Sequence, residues 1–137
     1  MIKQKLLEHL KNDIYCRIGI SKIDGVGVIA IKNIPKNTNP FKHISKEKDN
    51  IITLTKKDIK NIDPNVKKLL KDFFGNKNNF DILSAGPNYI NISFYMNHSN
   101  NPNVDIIETN NSNYLEFITN KDIKKDEELT IDYSKYN

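Results

Sequence analysis

Tryptophan is absent from these 137 residues, cysteine and arginine occur once each, and glycine and proline contribute five apiece. A single thiol, Cys16, can close no internal disulfide and build no thiolate zinc cluster, so both kinds of small-domain staple are excluded. Arg17 stands alone among 21 basic residues. The guanidinium is the group suited to forked phosphate and base contacts. With lysine supplying the rest of the charge, no direct nucleic-acid partner is expected. No apolar run approaches the roughly 18 residues that a membrane span needs. The opening Met1-Ile2-Lys3-Gln4-Lys5 lacks the apolar core of a secretion signal, so an intracellular site, nucleus or cytoplasm, is expected.

What is present fits one soluble domain. Hydrophobic residues make up 37% and charged residues 28%, and the length supports one modest core. The net charge of +4 is unevenly spread. From Asp105 to the end eight acids face four lysines, about −4, which leaves about +8 for the remainder. A locally acidic end would steer a basic peptide.

Ile2, Leu6, Leu7 and Leu10 fall at helical spacing, and the pattern predicts an amphipathic helix over Met1 to Asn12. Residues 14–20 alternate like a half-buried strand, Asp24-Gly25 turns, and 26–31 reads as its partner. Ile34 to Phe41 reads as a turn leading to a short strand, with Asn37 tolerating positive φ where a glycine would otherwise stand. A strand is expected at 51–54. The main helix is placed at 63–74, with Asp63 as N-cap, Pro64 at its first position, a face of Val66, Leu69, Leu70 and Phe73, and Gly75 as its stop. A polar loop at 75–79 follows, then strands at 80–83, 104–107, 114–119 and 129–132, with a helical turn or short strand at 92–96. Residues 104–119 read as a hairpin around Asn110 to Asn113. Many short strands with little helix imply a mainly β fold with a small helical insert.

Three stretches stand out within this frame. Asp24-Gly25-Val26-Gly27 lets backbone approach a ligand without Cβ in the way. Asn97-His98-Ser99-Asn100-Asn101-Pro102-Asn103 sets an amide beside an imidazole and then stops the chain with a strong turn signal. Glu128-Leu129-Thr130-Ile131-Asp132-Tyr133 closes the chain. Singly each has an ordinary reading: a hairpin turn, a corner histidine, a core tyrosine. His9 and His43 have no ligand spacing around His98, so no metal is expected.

In this order the three resemble the G-x-G, N-H-S-x-x-P-N and E-L-T-x-D-Y signature of SET-domain protein-lysine methyltransferases, over nearly the whole chain. The resemblance implies a helix at 1–13 followed by one domain at 14–137, with a variable insert at about 45–80 that helps shape a peptide groove. It also implies irregular β-sheets of the β-clip kind with a knot-like C-terminal region. S-adenosylmethionine is the implied cofactor, held by Asn97 near the methionine amino end and by the backbone of His98 near adenine, with Asp24, Val26 and Gly27 lining the other side. Tyr133 would be the catalytic tyrosine, also touching the cofactor, and Tyr95, Ile106 and Tyr136 would wall the lysine channel. Ile106 stands about where some relatives carry a second channel tyrosine, which would permit higher methylation states. Many relatives carry zinc modules beside the domain. Without them this chain resembles the bare viral and bacterial form, which can complete its pocket with a partner chain, a homodimer being one form.

The implied partner is a lysine-bearing protein, with histone tails among the candidates. Its amine must be neutral to be methylated, although a free lysine has a pKa of about 10.4. A narrow apolar channel and a nearby sulfonium both lower that value, so no strong base is required. What remains is alignment by a rigid hydroxyl. Two other readings stay open: a SET-like module that binds peptide or cofactor without turnover, and a β domain that merely shares the turns.

Overall fold

A computed structural model describes residues 2–43, 51–83, 86–88, 91–107 and 116–136. Among these residues the fold is mainly β, in three small sheets with two α-helices. Strand β1 (Cys16–Ile20) and strand β2 (Val26–Ala30) form an antiparallel hairpin, Cys16 opposite Ala30 and Ile20 opposite Val26. Its connection closes with the Ser21 N–H donating to Gly25 O at 2.9 Å, and Gly25 takes φ +51°, where a side chain would be strained.

Helix α1 (Ile2–Asn12) has the expected length, but Leu6, Leu7 and Leu10 remain 43, 50 and 53% exposed, so its apolar stripe is not buried. Strand β3 (Ile51–Leu54) belongs to the insert. Helix α2 (Pro64–Phe74) starts as expected, the Asp63 carboxylate accepting from the Asn65 N–H at 2.7 Å. The face it buries shares only Leu70 with the expected one. Leu70 and Phe74 are buried, while Val66, Leu69 and Phe73 stay partly exposed. Gly75 ends the helix with an extended φ of −66°, and a Cβ there would stand 3.0 Å from Lys71 O. It therefore stops α2 by permitting a close backbone pass.

The loop expected after Gly75 is a tight hairpin of strand β4 (Gly75–Asn76) and strand β5 (Asn79–Leu83), turned through Lys77 at φ +57°. β5 also pairs with β3, Ile52 opposite Ile82. Ile59, Leu70, Phe74, Phe80 and Ile82 form the core of this insert, which meets the main body through Phe94 against Phe74 at 5.6 Å.

A 3-10 turn at Ile92–Tyr95, capped by Asn91 accepting from the Ser93 N–H, delivers the chain to strand β6 (Asn97–His98). Strand β7 (Val104–Ile107) pairs with strand β8 (Glu116–Thr119); the expected turn between them, and residues 114–115, lie outside the described residues. Among the described residues between Ile34 and His43 there is no strand; Ile34 makes an isolated bridge to Ile123, and Asn37 takes the expected positive φ, +67°.

Strand β9 (Glu128–Ile131) organises the main sheet, whose order is β1-β2-β9-β6. It runs antiparallel to β2, Val28 opposite Leu129, and parallel to β6, Asn97 opposite Thr130 and His98 opposite Ile131. Val28, Ala30, Ile34, Met96, Val104, Ile123, Leu129 and Ile131, each at most 2% exposed, make the central core. Burying one such aliphatic side chain contributes about 1.5–3 kcal/mol, so β9 is fixed mainly by Leu129 and Ile131. A second 3-10 turn, Tyr133–Tyr136, closes the described chain.

Candidate active site

Parallel pairing of β6 with β9 sets Asn97 beside the strand that leads to Tyr133, and antiparallel pairing of β9 with β2 brings in the glycine hairpin. The Asn97 amide nitrogen is the meeting point. It lies 2.9 Å from Glu128 Oε2, 3.0 Å from Ser21 Oγ, 3.1 Å from Val26 O and 3.2 Å from Asp24 O. Two amide hydrogens shared among four acceptors fix the orientation of the side chain. Among the described residues nothing donates to Asn97 Oδ1, which remains free to accept.

Glu128 is held in turn by the Ser21 hydroxyl, which donates at 2.8 and 2.9 Å to its two oxygens. Gly27 makes room for this. An added Cβ would stand 2.5 Å from Glu128 Oε2 and 3.1 Å from Asn97 Nδ2. Glycine is required here by its own neighbours, in addition to any ligand. Glu127-Glu128 reads from sequence as a solvated turn, yet Glu128 is half-buried at the centre of the site. Neither Glu128 nor Ser21 is a sequence candidate, because Ser21 and Glu128 are 107 positions apart; their one signal is membership of, or closeness to, the three motifs.

The Tyr133 hydroxyl donates to Met96 O at 2.7 Å, one residue before Asn97. Burial of that hydroxyl, followed by the negative charges of Asp24 and Glu128, pushes the phenol above its ordinary value. The Tyr133 N–H donates to His98 Nδ1 at 3.0 Å, which leaves His98 Nε2 to carry the proton and donate to Asn100 Oδ1 at 2.9 Å. The two rings lie 5.3 Å apart. His98 is therefore the tie between the Asn-His corner and the terminal tyrosine. Beside it, the Ser134 hydroxyl and N–H hold the Asp132 carboxyl below the usual carboxylate range, with smaller help from His98 and Lys135.

Asn103, at the end of the corner motif, braces β9 from the side: its Nδ2 donates to Glu128 O at 2.9 Å and its Oδ1 accepts from the Thr130 N–H at 2.8 Å. The structure thus gathers Asp24, Val26, Gly27, Asn97, His98 and Tyr133 into one place. Tyr95 and Ile106 are half-buried against the central core, and among the described residues no hydrogen bond or ring contact joins either to Tyr133. Tyr136 lies in the last 3-10 turn, its side chain outside the described residues. Among the described residues no three His, Cys, Asp or Glu are grouped to hold a metal.

A mainly β domain in which a glycine hairpin, an Asn-His corner and a late tyrosine converge is a SET domain in architecture. Residues 25–134 match the SET-domain family model, and the chain belongs to that family. The fold is similar to the crystal structure of a candidate histone methyltransferase of Plasmodium falciparum, with a TM-score of 0.51 and 25% identity. The likeness covers 88% of this chain and 94% of that one. No curated protein matches the sequence.

Proposed function

We propose that this domain transfers a methyl group from S-adenosylmethionine to a lysine side chain of a protein. Members of the SET family are typically protein-lysine methyltransferases. The observation that carries the reading is the Tyr133 hydroxyl bonded to Met96 O beside Asn97, which joins two of the family's motifs across 37 positions.

The site fits the cofactor by its chemistry. It offers acceptors, the Asp24 and Val26 carbonyls and Asn97 Oδ1, together with the carboxylates of Asp24 and Glu128, which suits a ligand bearing ammonium and sulfonium charge. Held by Asn97 and the backbone of Asp24, Val26, Gly27 and His98, S-adenosylmethionine would supply a methyl on a sulfonium whose charge disfavours a neighbouring ammonium.

Tyr133 is suited to orienting the amine. Its raised pKa keeps the phenol neutral near pH 7, and its proton is committed to Met96 O. Its lone pairs therefore accept an amine N–H and leave the amine lone pair to face the methyl. Asp24, Glu128 and Asp132 draw a cationic side chain to the site. Tyr95, Ile106 and Tyr136 remain the candidates for the channel wall, and a histone tail is the substrate to try first.

The test is labelled methyl transfer to a lysine-peptide array, histone tails included, read by mass spectrometry. Tyr133→Phe should lower turnover about 10- to 100-fold, since one orienting hydrogen bond is worth about 1.4–2.8 kcal/mol at the barrier. Calorimetry should find cofactor affinity largely retained. Unchanged turnover would remove Tyr133 from this role, and cofactor binding with no methylated peptide would favour a binding module.

A further inference from the structure

Six lysines fall between positions 56 and 71, and folding gathers Lys56, Lys60, Lys67, Lys68 and Lys71 round one hollow of about 380 Å³, their aliphatic stems forming its walls with Ile59 and Phe80 beneath. Asp58, Asp63 and Asp72 lie in the same stretch, so its six lysines leave a net charge of about +3. Asp58 accepts from the Thr55 N–H at 2.9 Å and Asp63 from the Asn65 N–H at 2.7 Å, while among the described residues of this insert Asp72 is the one acid paired with a lysine, Lys68, at 2.8 Å. Lys67 Nζ donates to Lys60 O at 2.8 Å, which anchors the ammonium without neutralising it. Lys67 and Lys71 are like charges one helical turn apart, an arrangement that costs stability until an anion relieves it.

We propose that the lysine ammonium groups around this hollow bind the phosphate backbone of double-helical DNA. Net charge and the scarcity of arginine gave no case for nucleic acid; the placement of the lysines does. Ammonium groups act as point charges, suited to phosphates contacted without regard to sequence. Ile59 and Phe80 are only 4 and 8% exposed, so neither can insert into a bilayer nor stack on the bases of a single strand. The ammonium groups rimming this concave surface instead meet a projecting strand of phosphates. The surface is built on the insert, apart from Asn97 and Tyr133, and the inference stands independently of methyl transfer.

Fluorescence anisotropy of a labelled 20-base-pair duplex with the full chain, titrated at several salt concentrations, tests it. Phosphate contacts by Lys56, Lys60, Lys67 and Lys71, which pair with no acid among the described residues, predict a slope of log K against log salt of about −3.6. Lys60→Glu/Lys71→Glu should weaken binding by about tenfold or more, and Lys60→Arg/Lys71→Arg should keep it. Lys36→Glu/Lys121→Glu makes the same change in net charge on the surface beside the Ile34–Ile123 bridge and should have less than about a threefold effect. Equal weakening by both charge reversals, a slope near zero, or preference for a poly-glutamate peptide or phosphatidylserine vesicles over the duplex would each overturn the proposal. Loss of methyl transfer with DNA binding intact would count only against the activity.

Discussion

Replacing Gly27 by alanine puts a methyl where the Glu128 carboxylate already sits. The new Cβ would lie 2.5 Å from Oε2 and 2.9 Å from Cδ, whereas ordinary contact begins at 3.4 Å, so the carboxylate must retreat by roughly 0.9 Å. That movement breaks or stretches the bonds from Ser21 Oγ and Asn97 Nδ2. Hydrogen bonds to a charged group are worth about 1.5–3 kcal/mol each, and water can recover part of this because Glu128 is only half-buried. Alanine gains about 0.5–1 kcal/mol over glycine within a strand. The expected net loss is about 2 kcal/mol, or roughly 8 °C in Tm for a domain of this size. The decisive experiment is a cycle with Glu128→Ala, measured by urea unfolding. Once the carboxylate is gone the methyl at position 27 meets nothing at 2.5 Å, and Gly27→Ala should become neutral or slightly stabilising. Additivity of the two substitutions within about 0.5 kcal/mol would refute the contact and with it the packing reason for this glycine.

Asn103→Ala removes both side-chain bonds that brace β9 and should cost about 2–3 kcal/mol, read from the shift of the urea midpoint at constant slope. Comparing the wild-type ultraviolet alkaline titration with that of Tyr133→Phe should isolate a phenol ionising above about pH 10. Its proton is held more tightly in the folded state, so its contribution to stability is complete below pH 10 and falls as pH rises through the folded value; a midpoint at or below that of free tyrosine would contradict its burial. Cys16 is pushed up to about 12 by burial, so a disulfide reagent at pH 8 should modify it at least about a hundredfold more slowly in the folded protein than in urea. Equal rates in the two conditions would place the thiol outside the core.

Much of the fold was legible where local chemistry is decisive. Asp63 and Pro64 marked the start of α2, Asn37 its positive φ, and alternation over 14–20 the strand β1. What was not legible depended on partners far away in sequence. The apolar stripe of α2 pointed to Val66, Leu69, Leu70 and Phe73; the body it packs on keeps Leu70 and adds Phe74 while leaving the other three partly exposed, a choice among possible apolar faces that the helical period alone does not make. Gly75 read as a loop signal and is a close backbone pass into a hairpin. In the site, three short motifs picked out the residues that meet, yet the bracing roles of Asn103 and Glu128 within them, and any role for Ser21 outside them, emerge only when β9 lies between β2 and β6.

That position of β9 has a temporal consequence. The β1–β2 hairpin and the insert are each made from neighbouring stretches of chain and can form early, whereas the pairings of β9 with β2 and β6 join residues 101 and 33 positions apart. Loop closure over such spans is slow, and on the ribosome it must wait until residue 131 has been made. A nascent chain therefore holds every earlier piece of the site, Asn97 included, and can bring them together only once β9 has been made.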